Sequence, residues 1–283
     1  MTDDTSRDPH AAVEHSAEFR FYAELNDFLP AAQRGHAFTH TFTGTPSVKD
    51  TIEALGVPHT EVDMILVNGR SVGFGHRLEG GERVAVYPMF ERLDISPATR
   101  LRPKPLRVPR FVLDVHLGTL ARYLRLVGFD AVWRNDLSDE QIIESSVRER
   151  RVILTRDRGI LRHKRVTHGY WLRSTDPLEQ LDEVVRGLQL GDRLEPFTRC
   201  LECNGMIAPI AAEDAAPLVP RRVRAATDDF RRCRECGRVY WAGSHRPRLE
   251  AIVARARAAA GERLRDARRP TTVEPDSSAS PNA

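Results

Sequence analysis

The sequence predicts an α/β protein that is built from three folded parts in succession. Residues 18–95 contain strand and helix patterns in the order ββαββ, which is typical of a small mixed sheet. Residues 110–195 alternate short apolar strands with amphipathic helices, a pattern that favours a mostly parallel sheet. Residues 196–250 contain two Cys-x-x-Cys pairs, which indicate a small metal-binding ribbon.

Length and charge limit the possible functions. The 283 residues suffice for two or three domains. Residues 1–99 carry a net charge of −7, whereas residues 100–283 carry +10. The basic part suits a polyanionic partner such as nucleic acid, although solvated arginine-rich faces would give the same balance. Because the sequence contains neither a membrane-length apolar run nor a signal peptide, we expect a cytoplasmic protein with no membrane association.

Three stretches flank or separate the folded parts. The polar residues 1–17 are expected to form a disordered leader, and the proline-rich, basic residues 96–109 a linker. Residues 251–283 are expected to form a basic helix that continues into a disordered tail.

The elements of the first part follow from alternation and turn signals. Strands are predicted at Glu18–Leu25, His36–Phe42, Met64–Val67 and Arg83–Tyr87, and a helix at 46–56. This order resembles the ubiquitin-like β-grasp, and in particular its sulfur-carrier type. Carriers of that type end in Gly-Gly, but the only Gly-Gly of this sequence, Gly80-Gly81, is internal. We therefore expect an interaction or packing module that could hold a protein partner.

The second part places acidic residues beside its strands. Asp114 and Asp157 follow two apolar strands, and Asp139 lies in the first turn of the helix between them. If these strands are neighbours, the three carboxylates meet at one edge of the sheet, where they could hold Mg²⁺ or Mn²⁺. Asp136 and Glu140 are nearby substitutes. The alternative is that each aspartate only caps a helix or a turn.

Arginines surround these carboxylates in the sequence. Arg122 and Arg125 lie on the helix after Asp114, and Arg156 and Arg158 flank Asp157. Guanidinium groups around an acidic centre suit a phosphodiester substrate such as RNA. Solvated helix and loop faces are the alternative for each arginine.

The third part contains all four cysteines of the sequence. Cys200, Cys203, Cys233 and Cys236 form two pairs with the spacing of zinc knuckles, and together they could supply a closed, structural four-thiolate site. Redox pairs or disulfides are the alternative. Gly205 and Gly237 follow the two pairs and are expected to supply the positive φ that such turns often need. The 29 residues between the pairs exceed the usual spacing, so we expect an inserted loop.

The combined motifs resemble the Mut-seven C-terminal RNase family, whose members are PIN-like domains that end in a zinc ribbon. The resemblance starts at Leu113–Asp130 and continues through Ser138–Ile143, Ile153–Arg158 and both cysteine pairs. A ubiquitin-like domain is a known companion of this domain. The resemblance implies a PIN-like fold and metal-dependent RNA cleavage. It also implies that the PIN acids correspond to Asp114, Asp139 and Asp157, with Asp176 as a weak match to the usual fourth acid.

These observations lead to one hypothesis and one alternative. The hypothesis is a cytoplasmic Mg²⁺- or Mn²⁺-dependent ribonuclease, in which the zinc ribbon and the basic segment 246–269 extend the contact with RNA. The alternative is a non-catalytic RNA-binding or ribosome-associated adaptor, whose β-grasp domain holds a protein partner.

Overall fold

The computed structural model describes residues 14–88 and 109–266, with side chains up to residue 261. Most of the predicted leader and linker, and the predicted tail, lie outside these residues. The leader prediction is wrong at its end, because the first strand already begins at Glu14. Residues Glu14–Ala17 pair with the second strand, and this hydrogen bonding outweighs their polar composition.

The N-terminal part is a five-stranded mixed sheet that packs on one helix. Its elements are β1 (Glu14–Phe21), β2 (Phe38–Thr43), α1 (Val48–Ala54), β3 (Val62–Val67), β4 (Arg70–Val72) and β5 (Arg83–Pro88). The strand order is β2-β1-β5-β3-β4, with β1 and β5 parallel. Phe19, Ile52 and Val86 are fully buried between the sheet and α1. The predicted first strand ends four residues early, because a 3-10 helix at Ala23–Phe28 follows it.

The central part is a parallel sheet with helices on both faces. Its elements are β6 (Phe111–Leu113), α2 (Gly118–Leu126), β7 (Ala131–Val132), α3 (Asp139–Glu149), β8 (Val152–Thr155), α4 (Arg158–Leu161), β9 (Gly169–Trp171) and α5 (Pro177–Gly187). The strand order is β7-β6-β8-β9, and all three pairings are parallel. Side chains of β8 alternate between the faces: Leu154 packs with α2 and α5, whereas Ile153 packs with α3 and α4.

The C-terminal part is a three-stranded antiparallel ribbon followed by a long helix. Its elements are β10 (Ile207–Ile210), α6 (Ala212–Ala215), α7 (Arg221–Arg224), β11 (Phe230–Cys233), β12 (Val239–Trp241) and α8 (Arg246–Asp266). The expected insertion lies between β10 and β11, where Ala215, Val219 and Phe230 form a small apolar cluster.

Helix α8 belongs partly to the core of the central part. Ile252, Val253, Ala256 and Ala259 are buried in the cluster that α2 and α5 form. On this helix, Arg255 pairs with Asp182 of α5 at 2.8 Å. One face of the predicted basic helix is therefore a structural element, and only its other faces are open to a partner.

The β-grasp part docks on β9, the edge strand of the parallel sheet. The Glu61 carboxylate accepts the backbone N–H of Trp171 at 2.5 Å, and Arg173 Nε donates to Asp27 Oδ2 at 2.9 Å. The rings of Phe28 and Trp171 lie 4.9 Å apart. The docked part thus covers a strand edge that would otherwise present unpaired backbone groups.

The predicted fold class is confirmed: a ubiquitin-like N-terminal sheet, a parallel α/β sheet and a four-cysteine cluster that is compatible with a zinc ribbon. Across residues 14–88 and 109–266, the helices are too short or too polar to cross a bilayer.

Candidate functional site

Two of the predicted acids lie on adjacent strands at the carboxyl edge of the parallel sheet. Asp114 follows β6 and Asp157 follows β8, and these strands pair directly. Thr155 connects the two residues, since its hydroxyl donates to Asp114 Oδ2 at 2.8 Å and accepts the backbone N–H of Asp157 at 2.9 Å. Sequence reasoning missed Thr155, although a hydroxyl two residues before an aspartate at a strand end is a readable signal.

Both aspartates also cap the backbone that follows them. Asp114 Oδ1 accepts from the His116 N–H at 3.4 Å, and Asp157 Oδ1 accepts from the Gly159 N–H at 2.7 Å. Both aspartates therefore do act as caps, as the alternative predicted, but the capping bonds use only the Oδ1 atom of each carboxylate. Within the described part of the chain, neither carboxylate forms an ion pair with a basic side chain.

Asp139 is exposed in the first turn of α3, where Ser138 and Gln141 form the capping box without it. Among the described residues, the cysteines are the only group of three or more potential ligands whose atoms all lie within 4.8 Å. The three carboxylates are thus not gathered that closely. Because Mg²⁺ is commonly held by one or two carboxylates and several waters, the donor set of Asp114 and Asp157 fits such an ion. A role for Asp139 stays a prediction.

The four predicted phosphate-binding arginines have different surroundings. Arg156 is exposed, and Arg122 pairs with Glu202 across 2.7 Å on the surface. The guanidinium of Arg158 stacks on the Trp171 ring at 3.9 Å and lies 5.1 Å from the Phe28 ring. Burial, followed by neighbouring arginines, lowers the pKa of Arg158. Arg156 and Arg158 flank Asp157 in the sequence, and the Arg158 guanidinium lies against Trp171 and Phe28.

Arg125 is not the accessible phosphate-binding residue that the sequence predicted. It is 3% exposed, and its guanidinium donates to the carbonyl oxygens of Ala131, Leu201 and Glu202 at 2.8–3.0 Å. Burial lowers its pKa, and its Nε and Nη1 donors are already bonded to backbone carbonyl oxygens. Arg125 instead connects α2 to the first cysteine pair.

The four cysteines form one cluster. The Sγ atoms of Cys200 and Cys236 lie 3.6 Å apart and those of Cys203 and Cys233 3.4 Å apart, and all four lie within 4.8 Å of one another. Zn–S bonds of about 2.3 Å in a tetrahedron require sulfur atoms roughly 3.8 Å apart. The arrangement could therefore hold a zinc ion with no coordination position left for water.

The turns around these cysteines differ in one respect from the expectation. The sequence suggested that Gly205 and Gly237 supply positive φ, but in the first turn this conformation falls on Asn204, with φ of 72°. Gly205 is needed for space, because a Cβ there would stand 3.0 Å from Cys233 Sγ and would collide with the Glu235 carboxylate.

An ionic cluster that sequence reasoning missed joins the ribbon to the parallel sheet. The Asp130 carboxylate accepts from Arg151 at 2.6 Å, from Asn204 at 2.8 Å and from Arg110 at 3.0 Å. Burial would raise the pKa of Asp130, but these hydrogen bonds outweigh it and hold the pKa at about 2. No local sequence pattern predicts this cluster, because its members come from distant elements.

The central part is thus a parallel sheet with two acids at its carboxyl edge, and a four-cysteine ribbon follows it. Residues 109–253, which are about half of the 283, match the family described as Mut7-C RNAse domain. Residues 14–94 match the family described as Mut7-C ubiquitin. The chain therefore belongs to the Mut7-C RNAse domain family, and its N-terminal part is the ubiquitin-like companion. This confirms the resemblance that the motifs indicated.

Two solved structures from Haloferax volcanii are similar to part of the chain. Small archaeal modifier protein 1 is 20% identical over 27% of this chain and 99% of its own, with a TM-score of 0.22. A second crystal structure, of SAMP1, is 21% identical over 26% and 96% respectively, also with a TM-score of 0.22. No curated protein matches the sequence.

Proposed function

We propose that this protein is a metal-dependent ribonuclease whose active site is the carboxyl edge of the parallel sheet. The observation that carries the proposal is the pair Asp114 and Asp157 on the adjacent strands β6 and β8, joined through Thr155 and free of ion pairs in the described residues. Membership of the RNase family supports RNA as the substrate. The proposed nuclease domain spans residues 110–195.

The proposed roles follow from the contacts. Asp114 and Asp157 would hold Mg²⁺ or Mn²⁺, with Asp139 as a third acid; such an ion lowers the pKa of a bound water and neutralises charge on the phosphate. Thr155 orients the Asp114 carboxylate by donating to Oδ2. Arg156, which is exposed beside Asp157, would bind the phosphate of the substrate.

Arg158 would assist from a fixed position. Stacking on Trp171 holds its guanidinium 3.9 Å from the ring centre, so less conformational freedom is lost when a phosphate binds. Phe28 of the β-grasp part also faces this guanidinium, at 5.1 Å. In this proposal the β-grasp part helps to position a phosphate-binding group, and it could hold a protein partner through its remaining surface.

The ribbon would contribute structure rather than chemistry. Its four sulfur atoms would occupy all positions of a tetrahedral zinc ion, and a closed site of this kind does not activate water. Arg122 lies at the contact between the ribbon and α2, where it pairs with Glu202. It is therefore the least favourable of the exposed arginines for a phosphate.

The experiment compares cleavage of end-labelled single-stranded RNA and of matched single-stranded DNA by the full chain in Mn²⁺ or Mg²⁺. We expect RNA cleavage that Asp114→Asn and Asp157→Asn each lower by about a hundredfold or more, because loss of a metal ligand costs several kcal/mol in the transition state. Asp139→Asn tests the third acid in the same assay.

Asp214→Asn is the matched control, since Asp214 is an exposed carboxylate in the ribbon insertion, on α6. It should cleave at the wild-type rate. If the wild type does not cleave RNA, or if Asp114→Asn and Asp157→Asn cleave unchanged, the nuclease proposal is wrong. RNA binding that is sensitive to salt but gives no cleavage would instead favour the adaptor.

A further inference from the structure

A cavity of about 810 Å³ lies on the ribbon, outside the carboxylate edge. It is bounded by the last residue of α2, the segment Pro196-Phe197, strand β12 with the turn after it, and the start of α8. None of the predicted site residues lines it. The family match extends over this region, but the match gives no function to the cavity.

The cavity presents an exposed aromatic ring. Trp241 is 39% exposed, and it is the only exposed Phe, Tyr or Trp in the described ranges. Tyr240 and Phe197 line the same cavity. Phe197 is already covered by Arg246, whose guanidinium lies 4.2 Å from the ring centre. The Trp241 face is thus the one available for stacking.

The charge around the cavity is strongly positive. Its lining contains five arginines and a single aspartate, Asp229. Arg222, Arg231 and Arg238 are exposed, and none of them forms an ion pair with the acids of the described residues. Arg231 lies directly opposite Tyr240 in the β11–β12 pair, so the two side chains share one face of the ribbon, and both line the cavity.

We propose that this cavity binds a nucleotide of single-stranded RNA outside the cleavage site, with its base on Trp241 and the neighbouring phosphates on Arg222, Arg231 and Arg238. An exposed aromatic ring within a cationic groove is the combination that binds single strands with little sequence preference. This proposal rests on the proposed function, because it takes the bound strand to be the substrate.

The position of the cavity sets the length of RNA that uses it. Asp114 precedes α2, whereas Leu126, the last residue of α2, lines the cavity. The nine residues of α2 span about 13 Å along the helix axis, and the two sites lie at opposite ends of this helix. A dinucleotide at the carboxylates therefore does not reach Trp241, but a dodecanucleotide can reach both.

The experiment measures binding by fluorescence anisotropy with a labelled RNA dodecanucleotide in the cleavage-deficient Asp114→Asn background. We expect Trp241→Ala to weaken binding about tenfold, as the loss of one stacked base does, and Trp241→Phe to retain most of the affinity. Arg231→Gln and Arg238→Gln should each lower the slope of log K against log salt by about one.

Comparing a long and a short substrate distinguishes an effect of a mutation at this cavity from an effect at the active site. In the otherwise wild-type chain, Trp241→Ala should raise KM for the dodecanucleotide about tenfold and leave kcat/KM for a dinucleotide unchanged. Unaltered binding and KM in Trp241→Ala would overturn the proposal, as would an equal loss on both substrates. If the wild type binds RNA through Trp241 without cleaving it, RNA binding by the cavity is supported and the proposed nuclease function is wrong.

Discussion

Replacing Asp130 by asparagine tests the ionic cluster that joins the ribbon to the parallel sheet. The Asp130 side chain is 12% exposed, and its partner Arg151 is 5% exposed. Asn204, beside Cys203 in the first cysteine turn, donates to the same carboxylate. Asp130→Asn keeps the size of the side chain but removes its charge, so Arg151 loses its closest anionic partner in the cluster.

The expected magnitude follows from the pKa of Asp130, which is lowered from 3.8 to about 2. At about 1.4 kcal/mol per pKa unit, the ionised carboxylate contributes about 2 kcal/mol to the free energy of unfolding. Because the folded pKa lies below the unfolded one, this contribution is complete above the unfolded pKa. It is lost as the pH falls from about 4 to about 2.

The assay is urea unfolding of wild type and Asp130→Asn at a series of pH values. We expect a difference of about 2 kcal/mol at neutral pH that shrinks towards zero near pH 2. Any zinc held by the four cysteines is lost from both chains in acid, so its effect is removed by taking the difference. Asp136→Asn is the control, because Asp136 pairs with Arg134 on the open surface and should change stability little. A pH-independent difference, or none at neutral pH, would refute the reasoning.

Two further predictions concern the ribbon. Cys200→Ser should abolish the binding of about one zinc per chain and destabilise the ribbon, because a four-thiolate site needs every ligand; elemental analysis that still finds full zinc would contradict this. Arg125→Met should lower the free energy of unfolding by about 3 kcal/mol, since three carbonyl oxygens lose a charged donor. Urea titration checks this, with exposed Arg122→Met as the control that should change little.

Much of the fold could be predicted because its signals are local. The helix α3 follows from Ser138 and Gln141, which cap it, and from Ile142 and Ile143 on its buried face. The parallel sheet follows from apolar strands that alternate with such helices. The cysteine cluster follows from two tight turns, each of which orients its own pair of sulfur atoms.

The predictions that failed concern what a residue meets far away in the chain. Arg125 has the spacing of an exposed helical arginine, yet the ribbon buries it, and its guanidinium donates to the carbonyl oxygens of Leu201 and Glu202. Residues 14–17 have the composition of a leader, yet β2 pairs with them. Asn204 rather than Gly205 adopts the positive φ, because its side-chain amide is bonded to Asp130 and Ala131 of the parallel sheet.

The sequence by itself determined the order of elements, the position of Asp114 and Asp157 at strand ends, and the two Cys-x-x-Cys turns. Each of these depends on residues within one turn or one strand of each other. Only the tertiary structure decided that Thr155 joins the two acids, that the β-grasp part covers β9, and that Trp241 lines a cationic cavity. These contacts are made across the chain, where packing and charge neutralisation, rather than local propensity, determine which side chains meet.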